Sequence, residues 1–135
     1  MVRQDIERLV QRWTKEAIAG GRLDAFDELL SPDVLDRSVP NSATRGVDQF
    51  KTRATAIRAA FANIEVQVLD LLIDGDGIAW RWALIGTHVG PFAGIGPTGR
   101  RITLHGVNFQ RLKDDRVIEH WTLVDLFGAM QRLHP

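Results

Sequence analysis

Apolar residues at Ile6, Leu9, Val10, Trp13, Ala17 and Ile18 recur at helical spacing until Gly20-Gly21, a natural helix stop. The pattern predicts a second, short helix over Leu23 to Leu30, with Phe26, Leu29 and Leu30 inward and Ser31-Pro32 ending it. Asp33 to Arg45 alternates weakly and carries Pro40, which reads as a short strand plus a loop. Val47 to Ala62 gives a third helix with Phe50, Ala54, Ile57, Ala60 and Phe61 on one face. After Asn63 the period changes to two. Val66, Val68 and Leu71 mark one strand, closed by the Asp74-Gly75-Asp76-Gly77 turn, and Ile78, Trp80, Trp82 and Leu84 alternate along the next. Gly86 to Gly99 holds five glycines and two prolines and forms a shaped loop. Arg101 to Leu112 and Val117 to Val124 make a hairpin around Asp114-Asp115, and Asp125 to Leu133 is a helical turn or a tail.

Helices first and strands afterwards predict an α+β fold, with helices on one face of an antiparallel sheet. A chain of 135 residues is expected to be one domain with its own core. Seventeen basic residues balance seventeen acidic ones, and no basic stripe is interleaved with aromatics, which argues against a nucleic-acid partner. No apolar run approaches the ~18 residues of a membrane span. The start MVRQDIERLV has no signal-peptide core, so no membrane association and a cytoplasmic location are expected. With no cysteine there is neither a disulfide framework nor thiolate chemistry. No HxxxH pair or Cys-His cluster offers a metal site, no GxxxxGK[ST] phosphate loop occurs, and no Ser sits in a GxSxG elbow.

Three blocks stand out between Gly86 and Leu133: GTHxGPFxGIxPTGR, GxNxxR and EHWxxxDxxGxxxxL. In order and spacing they resemble the SnoaL-like polyketide (ester) cyclases, small enzymes of the cone-shaped fold shared with ketosteroid isomerase and nuclear transport factor two. The resemblance implies a curved sheet packed on three N-terminal helices around a hydrophobic pocket, with no cofactor. It puts the family's catalytic aspartate at Thr122 and its histidine partner at Asn108. Neither residue titrates near neutral pH, though both can hydrogen-bond a carbonyl or a water.

The hairpin register decides which side chains face that pocket. A two-residue turn at Asp114-Asp115 sets Asn108 opposite Trp121; a three-residue loop with a bulge at Arg116 sets it opposite Thr122. A one-residue slip reverses every side chain. Asp-Asp is a poor two-residue turn, and the longer loop matches the arrangement the resemblance implies. It places Asn108, Gln110, Ile118, His120, Thr122 and Val124 inward, and His105, Phe109, Glu119 and Trp121 outward. The outward face is expected to bury itself in a homodimer.

His120 is the candidate for proton transfer, since a neutral imidazole in a partly apolar cup can act as acid or base. Its alternative is a histidine hydrogen-bonded into the sheet for packing. Asp36 or Arg37 falls close to the catalytic base of ketosteroid isomerase in the resemblance. Buried alone Asp36 has a raised pKa suited to a base; paired to Arg37 or Arg53 its pKa drops. Arg53 matches a substrate-contacting position of a related cyclase and suits an oxyanion, against the plain reading of an exposed helix arginine. His88 either joins the substrate site or braces the glycine loop. Trp13, Trp80, Trp82 and Phe92 are pocket lining or core, fit for a small apolar or aromatic organic ligand.

Two functions remain. One is a cofactor-independent enzyme on an apolar carbonyl or epoxide compound: an aldol-type cyclase, an isomerase or an epoxide hydrolase. In the cyclase version His120, oriented by Asp36, removes a proton alpha to a carbonyl while Asn108 and Thr122 hold the enolate. The other is a ligand-binding or dimerisation module with the same cup and no chemistry. An outward His120 favours the second; an inward one favours the first.

Overall fold

The computed structural model describes residues 1–39 and 41–134. Pro40 lies outside them. The first amphipathic stretch is a helix, α1 (Arg3–Gln11), that continues as a π-helical stretch over Arg12–Ala19. The π period explains one feature of the sequence: Trp13 and Ile18, five residues apart, both reach the same cavity. α2 (Ala25–Leu29) follows, and α3 (Asp48–Ala60) crosses the same face of the sheet. α3 ends earlier than the periodicity predicts, because Phe61 is already extended and pairs with His88 in the sheet.

Among the described residues six strands form one sheet: β1 (Leu30–Val39), β2 (Ser42–Arg45), β3 (Phe61–Asp74), β4 (Gly77–His88), β5 (Arg101–Lys113) and β6 (Arg116–Val124), in the order β2-β1-β6-β5-β4-β3. Asp33 to Arg45 is thus a pair of strands rather than one strand and a loop. The sheet is mixed, not wholly antiparallel: β1 runs parallel to β6 and every other neighbouring pair is antiparallel. The chain closes with α4 (Leu126–Leu133), whose Asp125 cap accepts the Gly128 N–H at 2.8 Å. The expected turn or tail is therefore a capped helix, and it buries Ala129 and Leu133.

The hairpin between β5 and β6 sets Asn108 opposite Thr122, as expected, but by a different route. Lys113 pairs with Arg116, so Asp114-Asp115 is a two-residue turn, with φ of 52° and 65°. Positive φ at both central residues is the primed turn that matches strand twist. The extra residue sits further along, between the pairs Arg111–Glu119 and Leu112–Val117. Ile118 is that bulged residue. It leaves the pocket face and lies half-buried in a shallow groove on the other side, beside Glu119. Beyond the bulge the register returns to the one expected.

Two apolar clusters fill the space between helices and sheet. One joins Ile6, Trp13, Phe26, Phe50 and Trp80; the other joins Phe61, Leu84, Ile102, Leu104 and Leu133. Each fully buried side chain of this size contributes about 1.5–3 kcal/mol of transfer free energy. A gap remains where the clusters meet. Among the described residues no helix is long and apolar enough to cross a membrane.

Candidate functional site

That gap is a cavity of about 450 Å³. Trp13, Phe50, Ile57, Trp80, Trp82, Leu84 and Phe92 supply its apolar walls, and Thr14, Arg53, Asn108, His120 and Thr122 its polar groups, the Thr14 hydroxyl donating back to Val10 O. The polar groups gather because residues two apart on a strand share a face. Asn108 and Gln110 stand opposite Thr122 and His120, and β1 brings Asp36 beside His120 across the parallel ladder. Leu84 and Leu104 pair further along the sheet and make the other end apolar.

His120 is 2% exposed. Its ring stacks on Trp13 at 5.3 Å and meets the edge of Phe50 at 5.0 Å. Burial lowers its pKa to about 3; Asp36 pulls it up, and the Arg53 charge pushes it down again. The imidazole is neutral at physiological pH. Gln110 Nε2 approaches its Nδ1 at 3.0 Å, while Gln110 Oε1 accepts the Trp80 indole N–H at 3.1 Å.

Asp36 lies outside the cavity lining and is 6% exposed. One carboxylate oxygen accepts both the backbone N–H and the hydroxyl of Ser38, at 3.0 and 2.6 Å. The other pairs with Arg53 at 2.7 Å. Burial pushes its carboxyl up, but the Ser38 hydrogen bonds and the Arg53 charge outweigh that and hold it below the ordinary carboxylate range. Asp36 is a positioned anion, not a raised-pKa base. Among the described residues no hydrogen bond joins it to His120, so the two do not form the oriented dyad expected from the sequence. Arg53 is half-exposed, lies over the Phe50 ring at 4.9 Å and lines the cavity.

Asn108 Oδ1 accepts twice, from Thr122 Oγ1 at 2.6 Å and from Trp82 Nε1 at 3.1 Å. The Thr122 hydroxyl hydrogen is therefore committed to Asn108, and Thr122 can offer a ligand only a lone pair. The Asn108 Nδ2 hydrogens remain as donors on the cavity wall. His88 is fully buried but is not a lining residue. Its Nδ1 accepts the Thr98 N–H at 3.2 Å and meets the Thr98 hydroxyl at 3.0 Å, so it braces the glycine loop instead of the substrate site. That loop carries Pro91, Phe92 and Ala93 to the cavity.

Ser38 and Phe50 were not among the expected site residues. The D-x-S spacing of Asp36 and Ser38 is a turn signature and could have flagged the first. No group of three or more His, Asp or Glu side chains among the described residues comes together to hold a metal ion.

A curved sheet wrapped over helices, enclosing one mostly apolar cavity with hydrogen-bond donors at one end, is the architecture of a small-molecule pocket protein. The chain belongs to the SnoaL-like polyketide cyclase family, whose family model matches residues 8–133. It is 28% identical over 116 residues to the nogalonic acid methyl ester cyclase of Streptomyces nogalater, covering 84% of this chain and 86% of that one. It is 27% identical over 107 residues to the aklanonic acid methyl ester cyclase DnrD of Streptomyces peucetius, covering 78% and 72%. Among solved structures, TsrD from Streptomyces laurentii superposes with a TM-score of 0.88 at 23% identity, covering 98% of this chain and 97% of that one. At that identity the likeness bears on the fold.

Proposed function

We propose that this chain is a cofactor-independent cyclase that closes a ring in an apolar carbonyl compound by an intramolecular aldol-type step. The two relatives carry names of methyl ester cyclases, and an ester with an enolisable carbon is the substrate class proposed here. The observation that carries this reading is the donor-rich end of the cavity: Arg53, Asn108 and His120 converge where an enolate or alkoxide oxygen can enter.

Neither candidate base suits proton abstraction. His120 has too low a pKa, and Asp36 sits outside the cavity, neutralised by Arg53. The carbon acid must then be acidic enough to ionise once its oxygen is held by those donors, as a 1,3-dicarbonyl is, with water taking the proton. The new carbon–carbon bond forms as the acceptor carbonyl becomes an alkoxide, which regains a proton from solvent; no atom is lost. Epoxide opening by activated water lacks a base on the wall and is the weaker reading. The resemblance that sets Thr122 and Asn108 in the family's aspartate and histidine positions fits a site working through donors rather than a carboxylate.

The test is α-proton exchange of methyl benzoylacetate in D2O, followed by NMR. Enzyme should accelerate exchange over buffer. His120→Ala and Arg53→Met should each remove much of that gain, by roughly 10²–10³-fold where an oxyanion donor is lost. Binding without faster exchange would support a ligand-binding module instead.

The outer face of the sheet carries Phe109 against Trp121 at 5.3 Å, with Val107 and Leu123 exposed beside them. We propose that a second copy packs there. Leu123→Glu should then convert a dimer to a monomer in sedimentation equilibrium; a wild-type monomer would contradict it.

A further inference from the structure

Gln110 is fully buried on β5 and joins two rings that the cavity needs, Trp80 and His120. The indole nitrogen of Trp80 can only donate, so the Gln110 atom that meets it must be the carbonyl oxygen. The atom turned to His120 Nδ1 is then the amide nitrogen, which also can only donate. Nδ1 is left as an acceptor, and the single hydrogen of the neutral ring sits on Nε2. We propose that Gln110 is a positioning residue that holds His120 as its Nε2–H tautomer and so makes the polar end of the cavity a set of donors.

This deepens the proposed function, resting on its placement of a substrate oxygen near His120. It also excludes His120 as the base that the sequence suggested, because the nitrogen able to accept a proton is occupied by Gln110. Arg53 cannot accept a hydrogen bond, and the Asn108 oxygen already accepts from Thr122 and Trp82. The occupant is thus selected for an oxygen that only accepts, such as an enolate or phenolate. Thr122, with its hydroxyl hydrogen committed to Asn108, borders this set as an acceptor.

The experiment combines long-range ¹H–¹⁵N spectra of ¹⁵N-histidine-labelled protein with titration by 2-hydroxy-1,4-naphthoquinone, an enol ionised at neutral pH. Binding is read by quenching of the pocket tryptophans. Wild-type protein should show His120 protonated on Nε2 and bare on Nδ1 at pH 7. In Gln110→Glu the carboxylate can only accept, so Nδ1 should gain a proton and the ring should titrate near neutrality. At pH 9, above that titration and with the ring in its neutral Nδ1–H form, affinity for the naphthoquinone anion should fall about 10- to 100-fold, the effect of losing a hydrogen bond to a charged group. Affinity for naphthalene, which has no oxygen, should stay the same. Gln110→Met, of similar volume, should show a visible Nδ1–H population.

A wild-type His120 protonated on Nδ1, or a tautomer unmoved in both variants, overturns the proposal. Should wild type hold the Nε2–H form and yet fail to bind the anion, the positioning role stands and the proposed carbonyl chemistry fails.

Discussion

Trp13→Ala is expected to destabilise the protein by about 3–5 kcal/mol, the range for truncating a buried aromatic. Trp13 is 5% exposed and touches four rings: Phe26 at 5.1 Å, Phe50 at 5.8 Å, Trp80 at 6.3 Å and His120 at 5.3 Å. The indole already borders the cavity, so its loss enlarges the void. Against a total stability of about 5–15 kcal/mol this is a large fraction. Urea denaturation at pH 7 measures it. A loss under about 1.5 kcal/mol would mean that the aromatic cluster is not a principal support of the fold. Removal of the indole also lets water toward His120, so the imidazole pKa should rise in the same variant.

Acid weakens the folded state through His120 before it does so through Asp36. The ring binds its proton near 6.5 in the unfolded chain and near 3 in the folded one. Between those values the unfolded chain holds more protons, so stability increases with pH. The contribution is complete above the unfolded value and is lost as pH falls toward the folded one. Going from pH 7 to pH 5 should cost about 2 kcal/mol. Asp36, whose carboxyl lies below the ordinary carboxylate range, holds its contribution throughout that interval and loses it only in stronger acid. Denaturation midpoints at pH 7 and pH 5, in wild type and in His120→Phe, check this: the wild-type slope should be present and the variant's much reduced. Equal wild-type stability at both pH values would mean that the imidazole is not held neutral by burial.

The periodicities account for how much of this was legible in the sequence. Four strands and the first three helices follow from alternation at two and at 3.6, because each element buries one face. Trp13, Trp80 and Trp82 were legible as lining for the same reason, whereas Phe92 stands in the glycine loop, outside either period. The register that places His120 and Thr122 inward is the expected one, but it arises from a bulge at Ile118 and not from a three-residue loop. Positive φ at both Asp114 and Asp115 makes the tight turn, and the slip occurs at Ile118, where no residue type announces a bulge. The parallel pairing of β1 with β6 is set by contacts far apart in the chain and leaves no local pattern. Without it the proximity of Asp36 to His120 could be guessed only from resemblance. Roles were harder to read than places. Whether His120 donates or accepts depends on Gln110, and the orientation of Gln110 depends on Trp80, thirty residues back in the chain.

A crystal structure of the protein with 2-hydroxy-1,4-naphthoquinone is the most direct test of the donor-lined cavity. The enolate oxygen should lie within hydrogen-bond distance of His120 Nε2 and the Arg53 guanidinium, with the rings against Trp13, Trp80 and Trp82. An empty cavity, or an oxygen turned toward Leu84 and Leu104, would contradict the proposed carbonyl chemistry.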